Sequence, residues 1–152
     1  MTNYKQLWDK IIKDLDNDDI VLEIKILNTN IQDWINLLEI LHRSFANIVF
    51  QKNFNEIDRL NVDDFPQSDD DIMKCLSLDF TFFNLTLSLY VLEEIEFFSN
   101  SIITLEADKT ESLFVFCETI SNYLSKDIYI FCEASNNYSL FYDPNRNVWN
   151  QG

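Results

Sequence analysis

A chain of 152 residues, 47% hydrophobic and 14% aromatic, is long enough for one domain to bury a core and too apolar to stay disordered. Its 26 acids against 11 Lys and Arg give a net charge of −15, which excludes electrostatic affinity for nucleic acid or anionic lipid and points to basic partners. Its one glycine is Gly152, so phosphate cradles, dinucleotide turns and nucleophile elbows, all built where a side chain obstructs, are excluded as well.

Tyr4, Leu7, Trp8, Ile11, Ile12 and Leu15 recur at helical spacing and predict an amphipathic helix, assigned with residues 1–16 as an accessory to the core. This opening stretch lacks the apolar core and small-residue cleavage site of a signal peptide. "DLDNDDIVLEIK" follows and comes close to a calcium loop, with Asp14, Asp16 and Asp18 at its first, third and fifth positions. Asp19 replaces the glycine of the sharp turn, and Lys25 replaces the bidentate glutamate at the end. No calcium site is expected there. The alternation of Ile20, Leu22, Ile24 and Ile26 predicts a strand instead.

Asn30 with Asp33 signals a helix start, and Ile31, Trp34, Ile35, Leu38, Leu41 and Phe45 fall on its apolar face. "NIVFQKN" reads as a short strand. Residues 53–71 read as an acidic loop broken by Pro66, with a short helix starting near Asp70. "LDFTFFNLTLSLYV", Leu78 to Val91, reads as one extended run, and "EEIEFF" and "SIITLE" as further strands. Asp108 with Glu111 starts another helix that turns Leu113, Phe116, Cys117, Ile120 and Leu124 inward. "IYIFCEA" is apolar on both faces and reads as a central strand. Tyr138–Asp143 and Asn147–Trp149 form a hairpin around "DPNR". The expectation is one α+β domain over residues 1–152, a mostly antiparallel sheet of about six strands with three to four helices packed on it.

The search for chemistry returns little. No apolar run reaches the length of a membrane span. Cys75, Cys117 and Cys132 are scattered in apolar contexts, which reads as free thiols in a reducing cytoplasm. His42 is the one histidine and has no placed nucleophile beside it, and without paired cysteines no zinc site is expected. No catalytic residue, metal or other cofactor is assigned. The carboxylate-only alternative, metal binding or hydrolysis by two acids, rests on Glu93, Glu94 and Glu96 or on Asp69, Asp70 and Asp71, without a recognisable spacing.

The remaining signal lies in the acids. Residues 53–71 hold Glu56, Asp58, Asp63, Asp64, Asp69, Asp70 and Asp71 against Arg59, with Phe54, Leu60, Val62 and Phe65 interspersed. A solvated face is the ordinary meaning of a charge run. Apolar anchors within charge are also how binding hot spots are built. On that ground Asp63, Asp64, Phe65, Asp69, Asp70 and Asp71 are assigned to partner binding, with the second acidic run, Glu93, Glu94 and Glu96.

The last third, "TESLFVFCETISNYLSKDIYIFCEASNNYSLFYDPNRNVW", carries an amphipathic helix, Lys126-Asp127, the strand Ile128–Ile130 leading to Glu133, Tyr142-Asp143 before a turn, and Trp149. This layout resembles segments of bacterial immunity proteins from polymorphic-toxin and contact-dependent growth inhibition systems. The resemblance covers about forty residues and carries over no toxin-contacting positions. It implies a small, acidic, cytoplasmic, non-enzymatic protein that neutralises a toxin, often a basic nuclease. The alternatives are a phage-type nucleic-acid mimic, which spaces its acids along an elongated face, and a carboxylate-dependent hydrolase, whose acids converge in one place.

Overall fold

The computed structural model describes residues 2–14, 22–44, 48–52, 55–57, 75–80, 83–88, 94–99, 110–132 and 137–152, and within 48–88 and at 98–99 it describes the backbone alone. These residues contain three helices, α1 (Tyr4–Asp14), α2 (Ile31–Ser44) and α3 (Thr110–Leu124). They also contain nine strands: β1 (Leu22–Ile26), β2 (Ile48–Lys52), β3 (Asn55–Ile57), β4 (Cys75–Phe80), β5 (Phe83–Ser88), β6 (Ile95–Ser99), β7 (Ile128–Cys132), β8 (Leu140–Asp143) and β9 (Val148–Gln151). The strands form one sheet in the order β3-β2-β4-β5-β6-β1-β7-β8-β9. Each pairing is antiparallel. The class is α+β, as the sequence predicts.

Local chemistry explains the element ends. Asn3 caps α1, its Oδ1 accepting from the Gln6 amide at 3.2 Å. At α2 the cap is reciprocal: Asn30 Oδ1 accepts from the Asp33 amide at 3.1 Å, and Asp33 Oδ2 accepts from the Asn30 amide at 2.9 Å. Helix α3 ends on Ser125 in the left-handed region, at φ 56°, and the Lys126 amide then donates to the Ser121 carbonyl at 3.2 Å. Glycine is the usual residue at such a helix end. Among the described residues Asn28 and Asn147 hold the other left-handed positions, and asparagine tolerates that conformation better than most residues. In the β8–β9 turn, Asp143 Oδ1 accepts from the Asn145 amide at 2.9 Å.

One face of β6, β1, β7 and β8 is apolar. Ile95 and Phe97, then Leu22, Ile24 and Ile26, then Ile128, Ile130 and Cys132, then Leu140 and Tyr142 join the three helices in one buried cluster. The helices contribute Leu7, Trp8 and Ile11 from α1, Trp34, Leu37, Leu38, Ile40 and Leu41 from α2, and Leu113, Phe114, Phe116, Cys117, Ile120 and Leu124 from α3. Glu118 ties the layers together: its carboxylate accepts from Trp149 Nε1 at 2.9 Å and from the Tyr4 hydroxyl at 2.9 Å. Burial, reinforced by that carboxylate, pushes the Tyr4 pKa up to about 12.

Several expectations change. Helix α1 is no accessory, because Leu7, Trp8 and Ile11 lie inside the shared core. Ile31 and Ile35 are 48% and 37% exposed rather than inward; Trp34, Leu37, Leu38 and Leu41 form a denser apolar stripe and set the rotation of α2. The run from Leu78 is not one strand. Its chain reverses between Phe80 and Phe83, which pair with each other across β4 and β5. With β3 inside the supposed acidic loop, paired to β2, the strand count rises from about six to nine.

Candidate functional site

Because strand side chains alternate, the other face of the same strands carries the intervening residues. These are Glu96 on β6, Glu23 and Lys25 on β1, Tyr129 and Phe131 on β7, and Phe141 on β8, each only partly buried. Register places Glu96 beside Lys25, Lys25 beside Tyr129, Tyr129 beside Phe141, and Phe141 beside Asn150. One row therefore runs acid, base, ring, ring across neighbouring strands. Glu23 stands beside Phe131 in the next row of this face.

Lys25 is the hub. Its Nζ lies 3.3 Å from Glu94, 3.6 Å from Glu23 and 3.8 Å from Glu96, and 5.4 Å from the centre of the Phe131 ring. Burial works against its charge, but attraction by Glu96, Glu94 and Glu23 outweighs that and raises the Lys25 pKa. Glu96 shifts upward as well, first through burial; Lys25 opposes the shift, and repulsion from Glu94 and Glu23 adds to it. The ammonium gains from three carboxylates, whereas each carboxylate shares one ammonium with two like charges. The two directions agree on crowded negative charge.

Beside this hub lies a cluster of four rings. Tyr129 stacks on Phe141 at 5.6 Å between centroids, and Tyr138 meets the two rings at 5.3 and 5.2 Å. Phe131 sits 6.4 Å from both tyrosines, within the usual range of ring pairs. Burial and the nearby Asp127 carboxylate raise the Tyr129 pKa, so its hydroxyl keeps its proton. Tyr129 also lines a cleft of about 330 Å³ with Leu27, Asn28, Ser125, Lys126 and Asp127. There Lys126 Nζ donates to the Asn28 carbonyl at 2.7 Å and pairs with Asp33 at 3.0 Å, fastening the start of α2 to the end of α3.

Of the residues assigned from sequence to partner binding, Glu94 and Glu96 meet at this hub. Asp63, Asp64, Phe65, Asp69, Asp70, Asp71 and Glu93 lie outside the described residues, as does the 101–106 strand expectation. Sequence reasoning passed over Glu23, Lys25 and the four rings. The aromatic positions 129, 131 and 141 were visible in the alternation, but the adjacency of β1 to both β6 and β7 was not.

Glu23, Glu94 and Glu96 converge, as the hydrolase alternative requires, but around an ammonium. Among the described residues no group of three or more His, Cys, Asp or Glu is placed to hold a metal ion. The near-calcium stretch begins with Asp14 paired to Lys10 at 2.9 Å and ends with Lys25 on β1. Cys117 and Cys132 are buried thiols, and burial, chiefly, drives the Cys117 thiol pKa far up. Among the described residues no helix is long and apolar enough to cross a membrane. No protein-family model, curated protein or solved structure matches the chain.

Proposed function

We propose that this chain is a non-enzymatic, acidic, cytoplasmic binding protein that neutralises a basic protein partner. The partner class that the C-terminal resemblance implies is a bacterial toxin domain, with a nuclease as the leading case. The observation that carries this reading is where the positive charge goes. Lys5, Lys10, Lys25, Arg43, Lys126 and Arg146 each lie within ion-pair distance of the chain's own carboxylates, and the net charge of −15 is left for something outside. A nuclease presents a positive groove to phosphates, and an acidic surface is steered onto such a groove and covers it.

The test is coexpression with a toxic domain encoded beside the chain's gene. Restored growth is expected, together with an association rate constant that falls steeply as salt rises. Absence of protection, or an association rate indifferent to salt, overturns the reading.

A further inference from the structure

We propose that the open face of β6, β1, β7 and β8 is the docking surface, and that it receives an arginine-bearing segment of the basic partner. Guanidinium groups would stack on the Tyr129, Phe131, Tyr138 and Phe141 rings and pair with Glu23, Glu94 and Glu96. This deepens the proposed function and rests on it.

Three features of the face lead there. First, it already holds a cation in this manner: Lys25 lies over the Phe131 ring at 5.4 Å while contacting three carboxylates at 3.3 to 3.8 Å. Second, three carboxylates face one ammonium, so the hub stays negative after its internal pairing. Third, the rings are partly exposed beside that charge, on the face opposite the helices. A ring cluster next to surplus acid suits a cation that is flat and weakly hydrated.

Arginine fits this better than lysine. A guanidinium stacks its plane on a ring while its edge N–H groups pair with a carboxylate, whereas an ammonium is a compact, strongly hydrated point charge. The row of Glu96, Lys25, Tyr129 and Phe141 offers both kinds of partner side by side. Glu96 and Tyr129 stand two strand spacings apart, ~10 Å. Two arginines at alternate positions of an extended segment, ~7 Å apart at the backbone, can reach one each.

The experiment titrates the full, isotope-labelled chain at low salt with two capped octapeptides, one alternating Gly and Arg, the other Gly and Lys. The expected result is amide shift changes centred on Lys25, Glu96, Tyr129, Phe131 and Phe141, with the arginine peptide bound several-fold more tightly. The Tyr129→Ser, Phe131→Ser double variant is expected to lower arginine-peptide affinity by about tenfold and to change lysine-peptide affinity little. If that variant fails to fold, Lys25→Met removes the internal cation, keeps the rings, and is expected to raise arginine-peptide affinity several-fold. Shift changes centred on residues 63–71, equal affinity for the two peptides, or indifference to these variants would overturn the docking surface and leave the acidic-binder reading standing. Absence of binding by either peptide would overturn both.

Discussion

Along β1, Leu22, Ile24 and Ile26 are fully buried on the helix side, while Glu23 and Lys25 keep about a quarter of their side chains exposed on the other. β7 repeats the division, with Ile128 and Ile130 fully buried and Tyr129 and Phe131 partly exposed. The strands are common to both sides, and among the described residues the helices lie over one side alone. Under the helices every apolar side chain gains from leaving water, and polar groups are admitted only with partners, as Glu118 is. On the open side, charge is crowded without full compensation. Stability is concentrated on one face, which leaves the other free to carry groups that cost the fold a little.

The sharpest way to break this comparison is to truncate one phenylalanine on each side. Phe114 is fully buried, with ring contacts to Tyr4 at 5.8 Å and Trp149 at 5.4 Å, and Phe114→Ala is expected to cost ~3–5 kcal/mol in urea unfolding. Phe131→Ala on the open face is expected to cost less than about 1 kcal/mol. Equal losses would show that the open face is as much core as the other.

Two carboxylates sharpen the contrast. Glu118→Ala leaves Tyr4 and Trp149 without their acceptor and is expected to cost ~1–3 kcal/mol, read from the same unfolding curves. Glu96→Gln is expected to have the opposite sign and the smallest size, a gain on the order of a few tenths of a kcal/mol at neutral pH, because Lys25 keeps Glu23 and Glu94. Since the folded pKa of Glu96 is raised above the usual 4.5, the fold binds that proton more tightly than the unfolded chain does. The advantage of the Gln variant therefore develops as pH rises through the folded pKa and fades below about pH 4.5. A loss of stability at neutral pH in Glu96→Gln would mean that Lys25 more than compensates the crowding.

The α+β class was legible because the helices are long and strongly periodic, and because Asn30 and Asp33 make their cap from residues three apart. The β4–β5 reversal was not, since no Gly, Pro, Asn or Asp stands between Phe80 and Phe83 to mark it. The site was half legible for a similar reason. Glu94 and Glu96 stand out as an acidic run, but Lys25 reaches them only through a pairing between strands far apart in the chain. Alternation within a strand tells which residues share a face; it does not tell which strand lies alongside.

That pairing bears on how the chain folds. Ile24, near the start, is registered against Phe97 on one side and Ile130 on the other. While it is being synthesised, β1 has neither neighbour, and its ladder closes only after most of the sequence has left the ribosome. Loops of such length must be ordered before these contacts reward them, which slows folding and prolongs the exposure of Leu22, Ile24 and Ile26. A nascent chain that stops before β7 leaves one edge of β1 bare, so the sheet becomes complete only once β7, β8 and β9 are available to pair.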